Sequence, residues 1–443
     1  MPSRPLPALF AALALLAGAA RAQDSALAHP LTLGDAIRFA ARSNAVAQEA
    51  RDRADAADAR ITQRRSDLLP ELDASALESG RTYNSATFGF VIPGLNPNGI
   101  LIGPVKTLDL RAHAELPLVD VAAYKRVSSA KSAAGASSAD AANIADEAGE
   151  LAADGYVRVQ RAEALVAARL ADSVLADSLL GIARDQLNSG VGVAIDVTRA
   201  QVQLSTVRAQ LIVQRAERDR TRLEFLRVLN LPLDTRYTLA DTLDRLAPAG
   251  ALPSESAAVA AALTARADIR AAQMQLESAQ TSVSSIKWER APRLAAAGDY
   301  GSIGVNGLSY LPTYTWGVQL SVPIFDGLRR EGRIEEQEAG VREARTRLNA
   351  LTQQASLEVR AAIVDLGAAR EQLVVARERL ALSQLEVSQA RERFVAGVAG
   401  NLDVIQASSN LNTSRSLLVE ALAAYQDALV ALARAQGTIT ALP

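Results

Sequence analysis

Apolar residues follow two different periods along this chain, and the period changes with position. No proline lies between Pro117 and Pro232, or between Pro323 and Pro443, and both windows are rich in Ala, Leu, Gln, Glu and Arg. These are good helix formers. In the second window Leu366, Leu373, Leu380, Val387 and Phe394 recur every seven positions, as do Val404, Leu411, Leu418, Tyr425 and Leu432. Heptads sustained over that length predict coiled-coil packing. Each window is split by a glycine-bearing break, Leu187-Asn188-Ser189-Gly190-Val191-Gly192 and Phe394-Val395-Ala396-Gly397-Val398-Ala399-Gly400. The pattern therefore predicts helices over 120 to about 187 and 326 to about 394, each roughly 100 Å long at 1.5 Å per residue. Each folds back antiparallel on the helix that follows, with the glycine-rich turn at its tip.

Between the helical blocks the period drops to two. Leu108, Leu110, Ala112, Ala114, Leu116 and Leu118 alternate with Thr107, Asp109, Arg111, His113 and Glu115. Tyr314, Trp316, Val318, Leu320 and Val322 alternate with Thr315, Gly317, Gln319 and Ser321. Residues 294–300 alternate more weakly, and 72–80 is the poorest match. These read as strands of about ten residues, the length that crosses a bilayer when tilted. Loops rich in Gly, Pro and Asn are expected near 90–104 and 302–313.

The two blocks are copies of one another. Aligning the glycine breaks sets Asp196-Val197 on Asp403-Val404, Leu204 on Leu411, Arg208 on Arg415 and Arg227 on Arg434, all at an offset of 207. Leu116-Pro117-Leu118-Val119-Asp120 mirrors Val322-Pro323-Ile324-Phe325-Asp326, and Leu69-Pro70 mirrors Ala291-Pro292. The chain is a tandem duplication. Its expected organisation is a leader at 1–22, N-terminal helices at 23–69, a strand hairpin at 70–118 and a helical hairpin at 119–230 with its tip near 188–195. A linker at 231–255 and a helix at 256–291 lead to the second strand hairpin at 292–323. A second helical hairpin at 324–437, with its tip near 395–402, and a tail at 438–443 complete it.

Composition narrows the classes. With 47 basic and 49 acidic residues the formal charge is −2, which gives no bulk attraction to nucleic acid. There is no cysteine, which excludes disulfides, thiolate metal sites, thiol nucleophiles and a lipidated cysteine. Two histidines, His29 and His113, cannot form a multi-histidine metal site in one chain, and no cofactor is expected. Arg4, the apolar run from Leu6 to Ala20, and Ala20-Arg21-Ala22 read as a secretory signal with cleavage near Gln23. The run is too short for a membrane anchor. An exported chain with two hairpins of bilayer length needs further copies. In lipid every backbone donor and acceptor must be paired, so only a closed barrel of at least about eight strands survives. Two chains would supply eight strands and three would supply twelve; strand arithmetic does not choose.

The chain resembles the TolC-like outer-membrane efflux proteins over nearly all of its mature length. The resemblance rests on Leu31-Thr32-Leu33-Gly34-Asp35-Ala36, on Leu69-Pro70, and on Val322-Pro323-Ile324-Phe325-Asp326-Gly327. It also rests on the twice-repeated tip pattern with an aspartate six residues after a glycine, and on Ala265-Arg266-Ala267-Asp268, where an alanine holds a place often taken by proline. It implies an α+β membrane protein: a homotrimer with a twelve-stranded outer-membrane barrel, four strands per chain, continuous with a long periplasmic α-helical barrel. It further implies docking to a periplasmic adaptor and an inner-membrane pump of the RND, ABC or MFS type, outer-membrane lipid around the barrel, and no nucleic acid.

Site assignments follow from the resemblance. Asp403, with Asp196, Gln406 and Phe394, would form the pore constriction, and Gln406 stands where some relatives carry a second acid. Gly190, Val191, Gly192, Gly397, Gly400 and Leu402 would form the adaptor-docking tips. Relatives often latch the tips by polar links; Phe394 and Ala399 offer no side-chain hydrogen bond, so a different latch is expected. Asp109, Arg111, His113 and Glu115 would line the barrel lumen, and Tyr300, Tyr314 and Trp316 would sit at the membrane interface. The competing readings are a non-channel coiled-coil adaptor or scaffold, and an exported enzyme. Adaptors carry one hairpin between β-rich halves, not two in duplicate. No P-loop, HExxH or GxSxG motif supports an enzyme.

Overall fold

The computed structural model describes residues 30–89, 98–244, 253–305, 309–398 and 400–443, with the side chain of Phe88 excepted. The leader, its cleavage site, His29 and Ala399 lie outside them. In chain order the elements are α1 (Leu33–Ser43), α2 (Ala45–Ser66), β1 (Glu71–Asn84), β2 (Leu101–Val119), α3 (Val121–Asn188) and α4 (Ala194–Val228). They continue with α5 (Glu255–Ala265), α6 (Ala267–Trp288), β3 (Arg293–Val305), β4 (Leu311–Ser321), α7 (Arg329–Val395) and α8 (Asn401–Ala435). The two long helices, α3 and α7, have 68 and 67 residues.

Two compact units emerge. One comprises 53–138 and 271–349 and holds the sheet, an antiparallel β1-β2-β3-β4 meander in the observed strand order. Among the described residues β1 and β4 each pair on one side only. The strands are longer than their sequence pattern. β1 runs to Asn84 because Leu77 and Glu78, which break its alternation, still keep register with Asp109 and Leu108. β2 starts at Leu101, inside the expected loop, and β3 and β4 likewise shorten the second loop from both ends. Gly103 and Pro104 hid the start of β2. They sit where the β1–β2 register slips between Arg81 and Tyr83, an irregularity at which a missing backbone donor is tolerated.

The other unit comprises 30–52, 139–270 and 350–443 and contains three apolar clusters. Val359, Leu366, Leu373, Tyr425 and Leu432 build one from the heptads of α7 and α8. Ile37, Tyr156, Phe225 and Leu229 build a second, in which Tyr156 donates its hydroxyl to the Leu31 carbonyl. A third joins Leu179, Leu204, Phe394 and Leu411 at the ends of all four limbs. The motif at 31–36 is explained here. Thr32 caps α1 through Asp35, and Gly34 passes so close to Leu442 and Pro443 that a Cβ would lie 2.5 Å from a backbone oxygen. Arg266, in the motif at 265–268, is buried and bonds Asp268 and Glu358. Ala267, the alanine of that motif, opens α6, a position where proline and alanine are both compatible with the helix. α8 is the one described helix long and apolar enough to cross a membrane by composition, and its apolar residues fill these clusters.

Candidate channel wall and tips

Both long helices stop the same way. Gly190 and Gly397 take φ of +76° and +71°, a conformation that costs glycine little and lets the chain reverse. Val191 and Gly192 then donate to the Gln186 carbonyl, and Val398 to the Arg393 carbonyl. Val191, Val398 and Leu402 are strongly exposed beyond these turns. Gly400 supplies the residue before α8.

The tips of one chain are bonded to each other by two side chains that sequence reasoning missed. Gln186 donates to the Phe394 carbonyl at 2.9 Å, and Asn401, fully buried, donates to the Asp196 carbonyl at 2.8 Å. Neither has a like residue at the 207 offset: Arg393 matches Gln186 and Ala194 matches Asn401. The duplication therefore could not flag them.

The constriction residues divide. Asp403 and Gln406 are exposed, and Asp403 has no ion-pair partner among the described residues. Asp196 is half-buried beside Arg199 at 3.7 Å. Phe394 does not belong with them. It is 3% exposed, packed with Val404 and Leu411, so a side chain covered by its own chain has nothing left to present to a channel axis.

On the sheet, residues paired across strands share a face. One face carries Glu71, Asp73, Glu115, His113, Arg111, Asp109, Asp299 and Thr315. His113 Nδ1 lies 2.8 Å from Asp299 Oδ1, and Arg111 pairs with Asp109 at 3.0 Å. Glu71, Asp73 and Asp299 join the four residues expected there. They escaped notice because β1 alternates poorly and β3 weakly. The opposite face carries Leu72, Ala74, Ala112, Leu110, Val318 and Leu320, with Tyr300, Tyr314 and Trp316 exposed among them. Trp316 is the middle residue of β4, and Tyr300 and Tyr314 pair with each other one row further toward β4's start. From Leu320 to Pro312 the apolar band spans about 27 Å along the strand, or roughly 20 Å when tilted. Glu78 then interrupts it.

Electrostatics elsewhere follow burial. Burial holds the carboxyls of Asp146, Glu150 and Asp154 on α3 above the ordinary range, with Arg434 opposing this at the first two. Nearby Asp427 adds to the effect at Asp154. Asp268 lies below the range: burial would raise it, but the Arg266 guanidinium outweighs that. No group of metal-binding side chains occurs among the described residues.

An antiparallel sheet with one apolar face, one polar face and open edges, carried on a chain of duplicated hairpin helices, defines a segment of a membrane channel wall. Residues 38–231 and 258–438 match the outer membrane efflux protein family, and the chain belongs to it, with the TolC-like fold and an outer-membrane location. The chain is similar to the outer membrane efflux protein BepC of Brucella suis biovar 1 (strain 1330), 26% identical over 294 residues that cover 65% of this chain and 62% of BepC. The solved outer-membrane channel OprN superposes with a TM-score of 0.76 at 20% identity, covering 92% of this chain and 90% of its own. The outer membrane protein VceC of Vibrio cholerae does so with a TM-score of 0.74 at 18% identity, covering 91% and 96%.

Proposed function

We propose that three copies of this chain close a twelve-stranded barrel and form the passive exit duct of a tripartite efflux or type I secretion machine. The observation that carries the reading is the open sheet. β1 and β4 leave a row of unpaired backbone groups on either side of a face that is apolar throughout its central rows. In lipid such edges must pair, and in a ring the β4 edge of one copy meets the β1 edge of the next. The hairpin regions 70–118 and 292–323 build the barrel, and the helical hairpins 119–230 and 324–437 build the periplasmic tunnel. The linker at 231–255 forms its equator, and 23–69 and 256–291 are the periplasmic helices that open the two repeats.

Cargo passes from an inner-membrane pump of the RND, ABC or MFS type, and the pump supplies the energy. A periplasmic adaptor meets the tips at Gly190, Val191, Gly192, Gly397, Gly400 and Leu402 and opens them. Asp403, exposed and unpaired in the single chain, sets the constriction with Gln406 beside it, and Asp196 stands behind. Asp109, Arg111, His113 and Glu115 face the water-filled lumen; Tyr300, Tyr314 and Trp316 face lipid. The duct performs no bond chemistry.

The test is the protein mass of the particle extracted from outer membranes in mild detergent, measured by light scattering. Three chains support the ring. A single chain recovered as soluble protein means that the four strands never close, and the duct reading fails.

A further inference from the structure

In the unit that holds the sheet, small side chains bring α3 and α6 together and leave α2 with little to bury. Ser129 donates its hydroxyl to the Ser278 carbonyl and lies 2.7 Å from Ser282 Oγ. Gly135 stands so near Met274 that a Cβ there would lie 3.0 Å from its sulfur. On α2, from Arg53 to Ser66, only Ala57 is buried. Alanine and serine are too short to fill the space between three helices, and a groove of about 620 Å³ remains between them. That volume falls within the range of small-molecule sites.

The chemistry of the groove is one-sided. Arg60 and Arg64 reach it from α2, three and seven residues after Ala57 and so on the same helix face, and Arg126 reaches it from α3. Gln63, Gln275 and the serine hydroxyls add neutral donors, and no carboxylate lines it. Arg126 is shared with Asp67 at 3.4 Å and Asp120 at 3.7 Å. Arg60 and Arg64 have no ion-pair partner among the described residues. Guanidinium groups match oxyanions geometrically, since their planar fork donates two parallel hydrogen bonds to a pair of oxygens.

The groove also opens on the polar side of the wall. Arg64 and Arg126 border an adjoining recess whose other walls include Glu71, Glu115 and Arg293. Glu71 and Glu115 pair across strands on the polar face of the sheet. Arg293 lies on that same face, an even number of positions before Asp299. The apolar face of the sheet, which meets lipid, is the opposite one.

We propose that this groove is an anion-binding subsite on the inner wall of the duct, taking small solutes that carry a doubly charged oxyanion such as a phosphate ester. Its place in a lumen rests on the three-chain reading, whereas the groove itself is complete in one chain. The test uses the full chain extracted in mild detergent, with its mass measured by light scattering and pyrophosphate titrated into it by calorimetry at low salt. The expected result is saturable binding that weakens as salt is added. Arg60→Gln combined with Arg64→Gln, with circular dichroism unchanged, should weaken binding about ten-fold or more. Arg215→Gln, which removes an exposed charge from α4, should leave it unchanged. A three-chain particle that does not bind, or that loses affinity equally on Arg215→Gln, overturns the groove and leaves the duct standing. Phospholipid phosphorus that copurifies with the unmutated particle and is missing from the double variant overturns the solute assignment in favour of a lipid headgroup. Binding by a one-chain particle supports the groove and refutes the ring around it.

Discussion

The duplication provides an internal control for the worth of an ion pair. Arg208 and Arg415 occupy equivalent positions, yet their partners differ in burial. Arg208 reaches Asp177 at 3.3 Å with both side chains more than 60% exposed. Arg415 reaches Asp172, whose side chain is fully buried and also holds Arg169 at 3.0 Å. An exposed pair contributes at most about 1 kcal/mol. Removing one partner of a buried pair costs about 3–5 kcal/mol, because charge is left uncompensated. Arg169 and Arg415 are 20% and 24% exposed and can turn partly toward water, which puts Asp172→Asn near the low end, about 3 kcal/mol per chain. That is more than a hundred-fold in the unfolding constant at about 1.4 kcal/mol per decade. Arg208→Ala should change it less than about ten-fold. Guanidinium unfolding of the detergent-solubilised protein, followed by far-UV circular dichroism, reads both as midpoint shifts at constant slope. Equal losses for the two variants would refute the argument from burial.

Phe394→Ala should cost about 3–5 kcal/mol in the same unfolding assay, as a core truncation does, whereas Phe394→Leu should leave single-channel currents unchanged; altered currents in the leucine variant would return Phe394 to the gate. Asp403→Ala should change single-channel current and lower the preference for cations, and currents equal to those of the unmutated protein would remove Asp403 from the constriction. For Asp154 the folded chain holds its proton more tightly than the unfolded chain, whose ordinary value is 3.8. The burial cost is therefore absent below that pH and grows as pH rises through the higher folded value. Asp154→Asn should raise stability at pH 7, with the gain fading as pH falls toward 3.8; a gain constant with pH would assign it to packing instead.

The long helices were legible because heptads and the absence of proline act locally, and α7 and α8 deliver Leu366, Leu373, Leu411 and Leu432 to the buried clusters. The strand face was legible wherever alternation is clean, as in β2 from Thr107. It failed where tertiary pairing overrides pattern, as at Leu77 and Glu78, and at Gly103 and Pro104, whose composition reads as loop while the ladder continues around them. Phe394 shows a different limit. Its heptad position alone marks it as core, and only the resemblance to other channels suggested a gate. Gln186 and Asn401 were illegible because each bonds a backbone carbonyl more than 200 positions away, and such a bond leaves no periodicity behind.

The open sheet also has a genetic consequence. A ring closed by identical neighbours tolerates no weak member, since each chain supplies one edge to each side. In the proposed three-chain ring, if half of the chains in a cell carry a defect at β1 or β4, random mixing leaves about one ring in eight wholly intact. If the ring is the proposed exit duct, co-expression of an edge-defective copy should therefore poison export far more than halving the dose of the intact chain does. Meanwhile the uncombined chains, with unpaired strand edges beside an apolar face, are the ones most prone to aggregate before they reach the membrane.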